Sequence, residues 1–144
     1  MNGPSTAQSV TALLKLLNAD RQDYQQLITQ LEQQRQLMLR RRGAALFELN
    51  AALTAVYQRL SAHAVLRHQY FIALEIPASS AGFDMLVKRL PPSHHPALNS
   101  LWRQLAKAAL TCKRLNERNG ALLTLQRDLL APWFDREQDY IYKE

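Results

Sequence analysis

The apolar residues of this chain fall on three stripes with helical spacing. The first comprises Val10, Leu13, Leu17, Tyr24, Leu27, Leu31 and Met38, with the polar Asp20 and Gln34 filling its gaps. Steps of three and four alternate, a repeat of about 3.5 residues that keeps one face of an α-helix turned to a partner. Leu14 and Ile28 widen the stripe, and its outer faces are rich in Gln. The second stripe, Leu46, Leu49, Leu53, Val56 and Leu60 with Tyr57 beside it, begins just after Gly43. A rod continuous through both would expose a long apolar face. A turn near residues 39–44 is therefore expected, folding the second helix back on the first. The third stripe is the longest: Leu98, Leu101, Leu105, Ala108, Cys112, Leu115, Asn119, Leu122, Gln126 and Leu129. Only Asn119 and Gln126 are polar, and Gly120 sits beside the first of them in mid-helix, where it costs about 1 kcal/mol relative to Ala.

Punctuation divides the rest. Residues 1 to about 4 read as a loose start, followed by Ser5 and Gln8 at capping-box spacing. The second helix should end near Ile76-Pro77, and residues 77–82 have loop composition. Phe83, Leu86, Val87 and Leu90 suggest a short helix before the Pro-rich segment 91–96. Pro96 suits the first position of the final helix. That helix should run to about Ala131, with Pro132 ending or kinking it. The residues after it, including Trp133, Phe134, Tyr140, Ile141 and Tyr142, form an aromatic-rich tail that either docks on the bundle or waits for a partner. The expected fold is all-α, a single domain over 1–144. It is an antiparallel, coiled-coil-like bundle of three long helices with a short helix in the loop before the last.

Composition supports this picture. Of 144 residues, 47% are hydrophobic and 21% charged, which is globular rather than disordered. The net charge of +6 invites nucleic acid or an acidic membrane surface as partner. Most cations are spread along helices, however. The one dense run, Arg40 to Arg42, equally complements a helix C-terminus. Lys113, Arg114 and Arg118 could join a patch with it, but no reading helix or stacking platform is legible, so nucleic acid is not an expected partner. The lone cysteine rules out an internal disulfide and reads as a small packed hydrophobe. Residues 1–5 lack the build of a signal peptide, and no apolar run approaches the roughly 20 residues of a membrane span. A cytoplasmic protein without membrane insertion is expected.

Catalytic and metal chemistry find little support. His63 and His68 lie five residues apart, off a common helical face. His94 and His95 are adjacent in a Pro-rich loop, and no spacing brings Cys112 to them as a ligand. Neither a phosphate-cradling Gly loop nor a Ser-His-Asp signature is present. Asp128, Asp135, Glu137 and Asp139 sit among basic residues without pairing for acid–base work. No enzyme activity, metal or cofactor is expected. The element Asn116-x-x-Asn119-Gly120 stays open to two readings. It is either a register-fixing Asn with a Gly that admits a neighbouring helix, or a surface on which a foreign amphipathic helix lies.

The stretch Leu115-Asn116-Glu117-Arg118-Asn119-Gly120-Ala121-Leu122-Leu123 resembles the signature of the FlgN family of flagellar export chaperones: Leu-Asn-x-x-Asn-Gly followed by apolar residues on a long C-terminal helix. The layout is similar too, with an N-terminal Leu- and Gln-rich helix, a second helix with Arg67 near its end, and Leu98-x-x-Leu101-Trp102-x-x-Leu105 leading into the motif. The resemblance implies a non-enzymatic chaperone of type III export in flagellum biogenesis. It would bind the C-terminal amphipathic segments of hook-associated (hook–filament junction) proteins, prevent their premature self-association and bring them to the flagellar export apparatus. Leu115, Asn119, Leu122, Gln126, Leu129 and Leu130 would line the cargo groove, with Asn116, Gly120 and Leu123 in the same element. Trp133 and Phe134 would cover or join it, and Tyr140 and Tyr142 would meet the export gate. Two rivals remain: a self-sealed homo-oligomeric coiled coil without cargo, and a basic bundle whose nucleic-acid binding falls steeply with salt.

Overall fold

The computed structural model describes the backbone of residues 6–142 and the side chains of residues 6–126. Four α-helices follow in order: α1 (Thr6–Leu39), α2 (Gly43–Ala73), α3 (Ser80–Lys88) and α4 (His95–Tyr142), with a 3-10 turn at Pro92–His94. The three long helices and the short one match the all-α architecture expected.

The stripe on α1 is the axis of the molecule. Leu13, Leu17, Leu27, Leu31 and Met38 are buried, and so is the gap-filling Asp20. Each buried Leu contributes about 1.5–3 kcal/mol relative to exposure. α2 runs antiparallel along one side, pairing Asn50 with Gln34, Arg59 with Asp23 and Arg67 with Asp20. α4 runs parallel to α1 along another side, Tyr24 facing Cys112 and Met38 facing Gln126. α2 and α4 both pack along α1 but hardly meet each other directly.

Both turns are closed by residues in the left-handed region, and neither residue is Gly. At the end of α1, Arg41 has φ 54°. Its N–H donates to the Met38 carbonyl at 3.2 Å, and that of Arg42 donates to Leu37 at 3.0 Å, a Schellman arrangement. Glu75, φ 58°, does the same after α2. The Ile76 N–H reaches the Phe71 carbonyl at 3.1 Å, and both side chains are buried in one cluster. The turn lies where residues 39–44 were expected to hold it, but Gly43 is the first residue of α2 rather than the stop.

α3 begins at Ser80, inside the stretch expected to be loop. Ser79 caps it, its Oγ accepting from the Gly82 N–H at 3.3 Å. Gly82 lets α3 lie on the preceding chain, since a Cβ there would sit 1.6 Å from the Pro77 carbonyl oxygen. α3 closes one end of the bundle. Phe83 stacks on Trp102 with ring centroids 4.5 Å apart, and Phe71 meets the same indole edge-on at 6.5 Å. α4 starts at His95, so Pro96 is its second residue. Of the two outcomes expected at Pro132, an end or a kink, the first does not occur: the helix continues through it to Tyr142. A proline costs an internal helix one hydrogen bond and strains it without always ending it. The Ser5 cap falls outside the described residues.

Candidate functional site

The polar members of the α4 stripe face inward. Asn119 is buried, and its Nδ2 donates to the Leu31 carbonyl at 2.7 Å. One heptad earlier, the Cys112 thiol donates to the Tyr24 carbonyl at 3.5 Å. One heptad later, Gln126 Nε2 donates to the Met38 carbonyl at 3.0 Å. Seven-residue steps on both helices thus bring donors of α4 to carbonyls of α1. Asn119 Nδ2 also donates to Gln34 Oε1 at 2.9 Å, and Gln34 Nε2 donates to Asn50 Oδ1 at 2.9 Å. This amide chain links α4, α1 and α2. Asn119 Oδ1 is buried without a partner. Burial raises the Cys112 thiol pKa to about 11, so it stays protonated at neutral pH.

The sequence motif is therefore divided between two faces. Leu115, Leu122 and Gln126 are half-buried along the inner stripe, and Leu115 packs on the cluster of Leu27, Leu31 and Leu60. Asn116, Gly120 and Leu123 are exposed. A Cβ at Gly120 would meet nothing within 4 Å, so this Gly does not serve the approach of a neighbouring helix. The side chains of Leu129, Leu130, Trp133, Phe134, Tyr140 and Tyr142 lie outside the described residues.

The structure adds a feature that no spacing revealed. α2 and α4 both pack on α1 with few contacts to each other, and a trough of about 350 Å³ lies between them. Tyr24 and Leu27 form its floor, Tyr57, Ser61 and Ala64 one wall, Ala109, Lys113 and Asn116 the other. A second hollow of about 200 Å³ continues it toward Trp102 and Ala106, with Tyr24, Arg67 and Ala109 common to both. Of the predicted site residues, only Asn116 lines this trough. Desolvation raises the Tyr24 hydroxyl pKa, against the nearby Arg67 charge, and also that of Tyr57.

Beside the trough lies an ion-pair clamp. Asp20 is fully buried, its two oxygens held by Arg67 and by His63 Nδ1, the latter at 2.7 Å. Asp23, one turn on, receives Arg59 at 3.1 Å. Asp20, Asp23 and His63 come close enough to resemble a ligand set. Two guanidinium groups already neutralise both carboxylates, so the cluster clamps α1 to α2. Arg67, marked in the sequence only by its place near the end of α2, is thus a structural cation. The hint was an Asp at a seam position, which requires a buried partner.

Among the described residues no helix is long and apolar enough to cross a membrane. No curated protein and no solved structure matches the chain. A family model described as FlgN protein matches residues 1–131, which takes in all of α1, α2 and α3 and the Asn-x-x-Asn-Gly motif of α4. The chain belongs to the FlgN family of flagellar export chaperones.

Proposed function

We propose that this chaperone takes hook-associated proteins as its cargo, holding their C-terminal amphipathic segments in the cytoplasm until export. The observation that carries the reading is the reach of α4. Gln126 bonds to Met38 at the last turn of α1, yet α4 continues to Tyr142. The helix thus passes the turn at which α1 gives way to α2, carrying Leu129, Leu130, Trp133 and Phe134 in its sequence. Leu123 and Leu125, just before them, are both more than half exposed. An apolar segment of a cargo protein gains roughly 25 cal/mol per Å² by covering such residues. It loses entropy as it orders, which keeps release accessible. Tyr140 and Tyr142, at the end of the same helix, are assigned to the export apparatus. No catalytic step is required of any residue.

Co-purification from a flagellated host tests this. Full-length hook-associated proteins should be retained, and their C-terminal truncations should not. Retention of the truncated forms, or of no hook-associated protein, would defeat the proposal.

A further inference from the structure

Three long helices of which two avoid each other leave one position of a four-helix arrangement vacant. Here the vacancy is the trough between α2 and α4. Its walls carry Ser61, Ala64, Ala106 and Ala109, side chains small enough for another backbone to approach closely. Along α4 it extends from Trp102 to Asn116, roughly 20 Å at 1.5 Å per residue, the length of about four helical turns. The rim is polar and uncommitted: Tyr57, Ser61, Lys113 and Asn116 line it, and none is bonded to another described residue. Its charge has one sign. The lining holds Arg67 and Lys113 and no carboxylate. Arg67 is bound to Asp20, whereas Lys113 is free to pair with a guest.

We propose that this trough seats an amphipathic α-helix of an export cargo, apolar side down on the half-buried Tyr24, Ala64 and Ala109, with an acidic residue placed against Lys113. The inference rests on the cargo reading above and adds where the guest lies and what chemistry it carries. Tyr24, Ala64 and Ala109 supply the apolar contact, and the cation chooses among amphipathic helices by charge and fixes their register.

Two synthetic amphipathic peptides of about 18 residues, long enough for the trough, would serve as probes. They share one apolar face and differ in a Glu/Gln or Lys/Gln polar face. Anisotropy with the full-length protein should show the acidic peptide binding at least about tenfold tighter, a difference of roughly 1.4 kcal/mol. Lys113→Glu should abolish or reverse that preference. Ala109→Trp, which fills the trough, should weaken the acidic peptide by a similar factor with an unchanged thermal midpoint. Ala64→Trp repeats the test from the opposite wall if Ala109→Trp fails to fold. Equal binding of both peptides, or binding indifferent to the filled trough, overturns the proposal. So does a concentration-dependent dimer of the free protein that Ala109→Trp dissolves, because the occupant is then a second copy. Cargo co-purifying equally with wild type and Ala109→Trp removes the trough and leaves the cargo reading standing. Peptide binding that obeys the predictions while no hook-associated protein co-purifies does the reverse.

Discussion

Replacing Asn119 by Asp tests the inward face of α4 with almost no change of shape. Asn119 is 3% exposed, and its amide nitrogen serves the Leu31 carbonyl at 2.7 Å and Gln34 Oε1 at 2.9 Å. Aspartate places an oxygen where that NH2 group sits. Both partners are acceptors, so both bonds are lost, at about 1 kcal/mol each. An uncompensated charge in such a place costs about 3–5 kcal/mol more. Gln34 offers little relief, because turning its amide toward the carboxylate sacrifices its bond to Asn50. The new carboxyl group does best by keeping its proton, which again donates to Leu31.

Its folded pKa is thereby raised above the ordinary aspartate value of about 4. The unfolded chain then releases the proton first, and stability falls as pH rises from about 4 through the folded pKa. Urea unfolding followed by far-ultraviolet circular dichroism should show Asn119→Asp less stable than wild type by about 3 kcal/mol or more at pH 8. The deficit should shrink near pH 4. A deficit below about 1 kcal/mol at pH 8, or one independent of pH, would refute the placement of this side chain against α1.

Gly82→Ala should lower stability by about 1–3 kcal/mol in thermal melting, since its Cβ would overlap the Pro77 carbonyl and push α3 off its seat. Gly120→Ala should do the opposite, gaining up to about 1 kcal/mol in urea unfolding, because the position is exposed, helical and open. Cys112 should react slowly with thiol reagents at pH 8 until the protein unfolds. With its pKa raised from 9.0 to about 11, the thiol ionises first in the unfolded chain. Stability should therefore fall by about 2–3 kcal/mol between pH 9 and 11, a slope that Cys112→Ala removes in part. Tyr24 and Tyr57, also raised by burial, supply the remaining slope above their ordinary value of 10.0.

The stripes were legible because burial on a helix imposes its own period. Even the polar members of the α1 stripe were placed correctly: Asp20 is fully buried and Gln34 sits in the amide chain. The stops were harder to read. Arg41 and Glu75 hold left-handed conformations that cost most L-residues about 1–2 kcal/mol. No local propensity announces such residues as ends; the hydrogen bonds and the Ile76–Phe71 contact compensate for them. A stripe states that a face is covered and leaves the covering partner unnamed. The α4 seam read equally as an open cargo groove and as an interior surface, and the structure sets Leu115, Asn119 and Gln126 against its own body. The trough was invisible in the sequence because it depends on the separation of α2 from α4, a tertiary quantity. Its small residues, Ser61, Ala64, Ala106 and Ala109, have ordinary helical composition.

The split motif explains why an amide belongs in this seam at all. A purely apolar α4 stripe could slide along α1 by one heptad and still bury leucines, because both helices repeat at the same interval. Asn119 distinguishes the registers. Its Nδ2 requires both the Leu31 carbonyl and the Gln34 side chain. Slid seven residues back along α1, it would still find a carbonyl, that of Tyr24, but would meet Leu27 where Gln34 had been. Gln34 would then face Gln126, one heptad on, in place of Asn119. A buried amide with an unmet donor costs about 1–3 kcal/mol, enough to favour one register by about fivefold or more. Fixing that register fixes how far α4 projects beyond the α1–α2 turn and where Ala109, Lys113 and Asn116 stand opposite α2. The inward Asn119 thereby sets the position of the outward Asn116. Substitutions at the two should consequently differ in kind: loss of Asn119 disturbs stability and cargo binding together, while loss of Asn116 acts on binding alone.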